Sequence, residues 1–487
     1  MSNRVLADME PVKVFQYFEE ISSIPRGSGN EKAISDYLVS FAKELDLEVI
    51  QDEAMNVIIQ KPGTKGYEES PGVVLQGHMD MVCEKSPDNS HDFMTDPIQL
   101  KVVDDMLYAD GTTLGGDNGI AVAMGMAVLA SDSLEHPPLE LLVTTSEETG
   151  MDGAHALDPS SITGKMLINI DSEEEGVLTV SCAGGVNAKT NTPAAWEAAD
   201  SGKEAYTINI SGLKGGHSGM EINQGRANAN KLMARLLNSI GQEFDFDLCT
   251  ICGGSKHNAI ARDAQSVVCI KKDQFEELKE QVAGLEKIFQ DEFKTADPDI
   301  KVTIKPIETK PEQVMTKDTK ENIVNYMYLI PNGVQSYSMD IKGLVESSLN
   351  LGVVETKEDN VEIISSLRSS VGSMKENLYH TVAAIADLTN GKVIAEAAYP
   401  EWKYNPDSRL RQLFVELYEK LYGEKPQISA IHAGLECAIF DEKFNGNMDL
   451  ISIGPEMHGV HTVEEHLSIP STQRTWNYLT EALKALK

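Results

Sequence analysis

Basic residues are scarce in this 487-residue chain. Lys and Arg number 42 against 76 Asp and Glu, a formal charge of -34 at pH 7. That balance excludes nucleic acid and anionic membrane as partners, because both need basic patches. It is compatible with cationic substrates or metal ions. Long apolar runs are missing too. The longest, Gly119 to Ala130, falls short of the about 20 residues that span a bilayer. The opening MSNRVLADMEP has no apolar segment of the secretory kind. Cysteine is sparse: Cys83, Cys182, Cys249, Cys252, Cys269 and Cys437 are scattered and form no disulfide framework. A reducing cytoplasm is the expected location. Cys249-Thr-Ile-Cys252 has CxxC spacing, but the second CxxC of a zinc knuckle is absent.

The length calls for two or more domains. At 41% hydrophobic and 24% charged, the composition is that of an ordinary soluble enzyme. Helical periodicity runs through Val12 to Ser22 and Glu31 to Leu45, with Asn30 placed to cap the second. Buried-strand patterns follow at 73–76, 139–144 and 166–170, with a small-residue helix at 120–130 between them. This alternation predicts an α/β fold on a mainly parallel sheet. The character changes after Asp171-Ser-Glu-Glu-Glu-Gly176. Strands are expected at 206–210 and 361–367, and helices at 228–240 and 274–295, as α+β material with its own core. The expected domains are 1–186 and 402–487 as two segments of one catalytic domain, and 187–401 as an inserted lid. Tyr206-Thr-Ile-Asn-Ile-Ser-Gly-Leu213 echoes Tyr337-Ser-Met-Asp-Ile-Lys-Gly-Leu344, which raises an internal duplication of the lid. A helix at 408–422 and a strand at 449–453 complete the layout.

Each strand of the first part runs into a residue able to bind metal. The strand at 73–76 leads to His78 and Asp80, 139–144 to Glu147 and Glu148, 166–170 to Asp171, and 449–453 to His458 and His461. Gly115-Gly-Asp117-Asn-Gly119 opens the small-residue helix. In open α/β sheets the carboxyl ends of the strands frame the site, so ligands far apart in sequence can meet there. Two imidazoles and three carboxylates suit Zn²⁺. Five donors are too many for one catalytic ion, but they serve two if one carboxylate bridges. Asp117, flanked by glycines, is the best bridge, and Asp80 can fix the tautomer of His78. Taken singly, each has a plainer reading: a satisfied core histidine, a turn with a helix cap, a solvated acidic loop, a helix start.

The stretches GHMDMVCEK (77–85), HDFMTDPI (91–98), DGTTLGGDNGIAVA (110–123), TTSEETGMDGA (144–154), INIDSEEEG (168–176), LKGGHSG (213–219), HAGLECAIF (432–440) and GPEMHGVHTVEEHLSI (454–469) occur in that order. With them the chain resembles the co-catalytic zinc peptidases of the aminoacylase/carnosinase clan, and within it the Xaa-His dipeptidases. The resemblance spans nearly the full length. It implies one zinc on His78, Asp117 and Asp171 and a second on Asp117, Glu148 and His461, with manganese or cobalt able to substitute. It implies Glu147 as general base, Asp80 as the residue that orients His78, and a cis peptide at Asp117-Asn118. Asp171, where carboxypeptidase-like members carry Glu, points to the dipeptidase side. In the lid, His217 resembles the histidine that stabilises the oxyanion, and Asn258 a substrate contact. Arg368, at the end of a strand, is a candidate for gripping the substrate carboxylate, since arginine binds carboxylates in bidentate fashion. Gly434 is a candidate backbone contact. In some members the lid histidine acts across a homodimer, so the resemblance leaves open which copy His217 serves.

The expected activity is hydrolysis of dipeptides, Ala-His or β-Ala-His among them. Two other readings stay open. One is an N-acyl amino acid deacylase or tripeptide aminopeptidase of the same clan. The other is a metal- or peptide-binding protein with a silent site.

Overall fold

The computed structural model describes residues 5–487. The first four residues of the opening segment therefore lie outside the described residues. The chain divides into two compact units. The first comprises 1–181, 402–430 and 435–487, the second 182–401 and 431–434. The units thus separate at 181/182 rather than at 186/187. The reason is that the strand Gly184–Pro193 pairs within the second unit's sheet. Residues 431–434 also fall in the second unit, not in the carboxy-terminal catalytic segment where the sequence placed them.

The first unit is built on an eight-stranded sheet. Its order is Glu48–Gln51, Val57–Lys61, Leu139–Thr144, Val73–His78, Met166–Asn169, Asp449–Ser452, Val177–Cys182, Gln427–Ile431. The four strands from Leu139–Thr144 to Asp449–Ser452 are mutually parallel. Antiparallel pairs flank that centre. Val73–His78 and Leu139–Thr144 are buried at every position, as central strands covered on both faces must be. The continuous apolar runs read from the sequence have this cause. Helices Val12–Ser22 and Lys32–Glu44 form as expected. Asn30 does not cap the second, however, because Glu31 occupies the cap position and makes no side-chain bond to the helix.

The helix Gly116–Leu129 is buried almost all round, the condition for a helix that is apolar on every side. Its small residues let it lie close to the sheet. At Gly125 an added Cβ would run into the Leu141 side chain of the neighbouring strand.

The second unit holds a nine-stranded sheet with antiparallel pairings, covered by helices such as Ala229–Glu243, Phe275–Glu292, Lys317–Leu329 and Gly372–Leu388. Leu232, Leu236, Ile240, Val282, Phe289 and Val382 are among the residues of its core. The sequence echo does not mark equivalent elements. Residues 206–211 lie inside the strand Lys203–Ser211, whereas only Tyr337 of the second copy is in a strand. Ser338 Oγ accepts from the amides of Asp340 and Ile341 and folds that copy into a turn. Cys249 and Cys252 share the strand Asp247–Gly253, the first buried and the second exposed, so the CxxC pair does not converge. No disulfide joins cysteines among the described residues, and no helix there is long and apolar enough to cross a membrane.

Prediction: Gly125→Val forces apart the helix and the strand Leu139–Thr144. Overpacking of this kind costs about 1–3 kcal/mol. Urea denaturation should show a lower midpoint with an unchanged slope.

Candidate metal centre

The parallel strands end in one place, and the side chains just beyond them meet. His78 closes its strand and is buried. Its Nε2 lies 3.0 Å from Asp117 Oδ1 and 3.4 Å from Asp171 Oδ1. His461 Nε2 lies 3.2 Å from Asp117 Oδ2 and 3.0 Å from Glu148 Oε2. Asp117 therefore turns one oxygen to each histidine. Ligand atoms of His78, Asp117 and Glu148 lie within 4.8 Å of one another. Donors 2.0–2.1 Å from a tetrahedral ion lie about 3.3 Å apart. The four contacts match that spacing, and among the described residues no Lys or Arg side chain ion-pairs with the five carboxyl and imidazole groups that make them. The donor set fits two divalent ions that share Asp117.

Local backbone explains how each donor gets there. Gly115 has φ 67°, and a Cβ on it would strike Arg26 Nη2 and the Met81 sulfur. Only glycine suits that left-handed, tightly packed position. The next peptides carry Asp117 at non-helical φ/ψ, and the Asp117-Asn118 bond is cis. Asn118 Oδ1 accepts from the amide of His78 at 3.2 Å, and its Nδ2 donates to the Ile170 carbonyl at 2.7 Å. It thereby ties together the strand ends that carry His78 and Asp171. Ser146, at φ 54°, starts a single helical turn, Glu147–Gly150, that ends at Met151 with φ 60°. The turn lets two adjacent acids serve one site, which an extended segment would not allow.

Asp80 does more than the sequence implied. Its contact with His78 Nδ1 is long, 3.3 Å. It also accepts from the amides of Glu147 at 3.1 Å and Glu148 at 3.3 Å, and from Ser28 Oγ at 2.8 Å. It is thus an acidic cap on the turn that presents both glutamates. Glu465 accepts from four successive amides. Oε2 takes those of Leu114 and Gly115 at 2.8 and 3.1 Å, and Oε1 those of Gly116 and Asp117 at 2.8 and 3.3 Å. These are the orphan donors of a helix start, and the carboxylate fixes the loop that bears Asp117. Arg26, wholly buried, grips the same loop through the Gly115 carbonyl at 2.5 Å and ties it to the end of the strand Val73–His78 through the Met79 carbonyl at 3.1 Å. Glu465 stood inside the stretch 454–469 but with no local sign of its role, and Arg26 stood in none of the quoted stretches.

The electrostatics are those of crowded acid. Burial pushes the Glu147 carboxyl up to about 8; His78 opposes this, and Glu436, Glu148 and Asp117 add to it. Burial also raises Asp171 well above the usual range. Burial acts the same way on Asp117, but hydrogen bonds from His461 and His78 outweigh it and hold that carboxylate low. Hydrogen bonds to Asp117 and Glu148 carry His461 up to about 11.

Residues 74–485 match peptidase family M20/M25/M40. The chain belongs to that family. It is therefore a peptidase and a hydrolase. It is 38% identical over 481 residues to the cytosol non-specific dipeptidase of Escherichia coli (strain K12), covering 99% of each chain. The crystal structure of aminoacylhistidine dipeptidase from Vibrio alginolyticus matches with a TM-score of 0.94 at 38% identity, over 99% of this chain and 98% of that one. Aminopeptidase PepT from Bacillus cereus shares the fold at a TM-score of 0.56 and 16% identity, over 98% and 99% of the two chains.

The remaining expected residues of this family member lie in the second unit. His217 Nδ1 accepts from the amides of Gly219 at 3.3 Å and Met220 at 3.0 Å. The neutral ring consequently carries its proton on Nε2 as a donor. Burial, with Arg368 nearby, lowers its pKa. Arg368 Nη1 donates to Tyr399 OH at 2.7 Å. His432, pushed down to about 3 by burial and by Arg368, meets Ser348 Oγ at 2.7 Å. Gly219 packs on the His432 carbonyl. His217, Arg368 and His432 are thus one cluster, and Gly434 follows His432 by two residues. Asn258 reaches it through its backbone: its carbonyl accepts from the Ser218 amide at 2.9 Å. Tyr399 and His432 were missed as site residues. His432 stood in a quoted motif, while Tyr399 had no signal in the sequence.

Prediction: Glu465→Ala strands buried amides next to Asp117. Unfolding free energy should fall by about 1–3 kcal/mol. Metal affinity in a chelator competition should weaken roughly 10–100-fold, the usual result of losing a group that orients a ligand.

Proposed function

We propose that the chain hydrolyses dipeptides with a free amino terminus, Xaa-His dipeptides such as Ala-His or β-Ala-His among them, using two zinc ions. One ion would be held by His78, Asp117 and Asp171, the other by Asp117, Glu148 and His461. The observation that carries the reading is the Asp117 carboxylate, with one oxygen 3.0 Å from His78 Nε2 and the other 3.2 Å from His461 Nε2. When bound, a pair of divalent ions supplies a more acidic water and a polarised scissile carbonyl.

Glu147 is the proton carrier. It adjoins the proposed ligand Glu148, and among the described residues none donates a hydrogen bond that would tie up its carboxylate. Raised to about 8 by burial, it is a base of useful strength near neutrality. It takes the proton of the attacking water and returns it to the departing amine nitrogen. Dications beside it would lower that value. Asp80 holds the turn that aims Glu147 and contacts His78. In the second unit, the Nε2–H of His217 is the donor suited to an oxyanion. The Arg368 guanidinium, steadied by Tyr399, suits the substrate carboxylate. Asn258 and the Gly434 backbone are proposed as further substrate contacts.

The two close relatives bear names of different breadth, one non-specific and one for aminoacylhistidine. A histidine preference is therefore proposed as a preference and not an exclusion. Cytoplasmic location is proposed from the scattered thiols and from the cytosolic name of the Escherichia coli relative.

Prediction: Glu147→Gln should keep its zinc stoichiometry and lose at least about 100-fold in kcat. Near-normal turnover would remove Glu147 as the base. In a panel of substrates, Ala-His should be cleaved, and N-acetyl-Ala-His and Ala-Ala-His should not. Preference for either of the last two would favour a deacylase or a tripeptide aminopeptidase.

A further inference from the structure

Beneath the metal centre lies a carboxyl that the reaction as described does not use. Glu436, the first residue of the helix Glu436–Lys443, has no exposed surface. Its Oε2 accepts from Gln76 Nε2 at 2.6 Å and from Thr144 Oγ1 at 2.9 Å. Gln76 Oε1 in turn accepts from Asn169 Nδ2 at 2.6 Å. Gln76 and Asn169 face each other across the parallel pair Val73–His78 and Met166–Asn169, and Thr144 is opposite His78 on the other side. Its two partners and Asn169, which Gln76 links to it, sit on three adjacent strands, just short of the residues that would bind metal. Gln76 precedes His78 by two positions, Asn169 precedes Asp171 by two, and Thr144 precedes Glu148 by four.

We propose that Glu436 is a positioning residue for the metal centre: one buried acceptor that locks the ends of three strands in register, so that His78, Asp171 and Glu148 converge. The inference rests on the reading of those residues as metal ligands. Packing alone does not account for a carboxyl here. Among the described residues its Oε1 has no hydrogen-bond partner, nor does Asn169 Oδ1, and a buried polar atom left so is destabilising. An apolar side chain of the same size would fill the space without that penalty. An acid in the first turn of a helix is favourable to the helix dipole, but that role needs no contact with the sheet. Glu436 nevertheless holds two sheet side chains at short distance. Burial raises its carboxyl to about 7; the acceptor role is available in either charge state, because both keep lone pairs on Oε2.

The test compares wild type, Glu436→Leu, Glu436→Gln and Thr144→Val, each checked for folding by circular dichroism. Zinc affinity is read by chelator competition, ligand geometry by the visible spectrum of the cobalt-substituted protein, and kcat and KM on Ala-His. Glu436→Leu should weaken zinc binding roughly 10–100-fold, alter the cobalt spectrum, and lower kcat with KM little changed. Glu436→Gln, whose carbonyl can accept the same two bonds, should recover most of the loss. Thr144→Val should shift affinity in the same direction by less, and it carries the test if Glu436→Leu does not fold. Wild-type affinity, spectrum and kcat in Glu436→Leu, or in Thr144→Val where that variant carries the test, would overturn the inference while leaving the metal centre intact. A Gln variant as impaired as the Leu variant would overturn it too. A wild-type chain that binds fewer than two zinc ions would instead overturn the metal reading, and the inference with it.

Discussion

Mutual repulsion among buried carboxylates is the constraint around which the first unit is organised. Asp117, Glu147, Glu148 and Asp171 converge on two imidazoles, with Glu436 below and Glu465 beside them. Burial raises Glu147, Asp171, Glu436 and Glu465 alike. Left alone, groups so placed would take up protons or separate. Two dications bound as proposed would offset that repulsion directly, and the cost of assembling the acids would be the counterpart of the affinity for metal. The chain's large excess of acid is therefore not merely a solvated surface; part of it is concentrated where it has a use.

Holding such groups in place takes ties that do not themselves titrate with the ligands. Backbone amides supply many of them. Four amides grip Glu465, and two more grip Asp80, so the loop with Asp117 and the turn with Glu147 and Glu148 are each fixed by an acid outside the proposed ligand set. Asn118 joins the ends of two strands. Arg26 is a buried cation in the same region, and it spends its donors on carbonyls instead of on the ligand carboxylates. This leaves the proposed ligand carboxylates without an ion pair to Arg26.

The parallel strands were legible because burial on both faces writes an unbroken apolar run, and each run ended at a residue with metal chemistry. The strand Leu139–Thr144 has the bounds its apolar run predicts. What was not legible depends on contacts across hundreds of positions. Glu465 acts on Leu114 to Asp117, and Glu436 on Gln76 and Thr144, yet neither has a local pattern that marks it. Asn30 failed as a cap for a related reason: propensity at a helix start is a weak preference, and Glu31 lies buried with its carboxylate turned to Ser146. The echo between 206–213 and 337–344 does not itself mark equivalent elements, because identity over eight residues says nothing about hydrogen-bond partners, which in the second stretch belong to a turn.

The central claim is that Asp117 bridges two ions. Anomalous diffraction from crystals of the zinc-loaded protein tests it most directly. The account predicts two peaks about 3.5–4 Å apart, one bonded by His78 and Asp171, the other by Glu148 and His461, with one Asp117 oxygen on each. A single peak, or two peaks that Asp117 does not join, would contradict it.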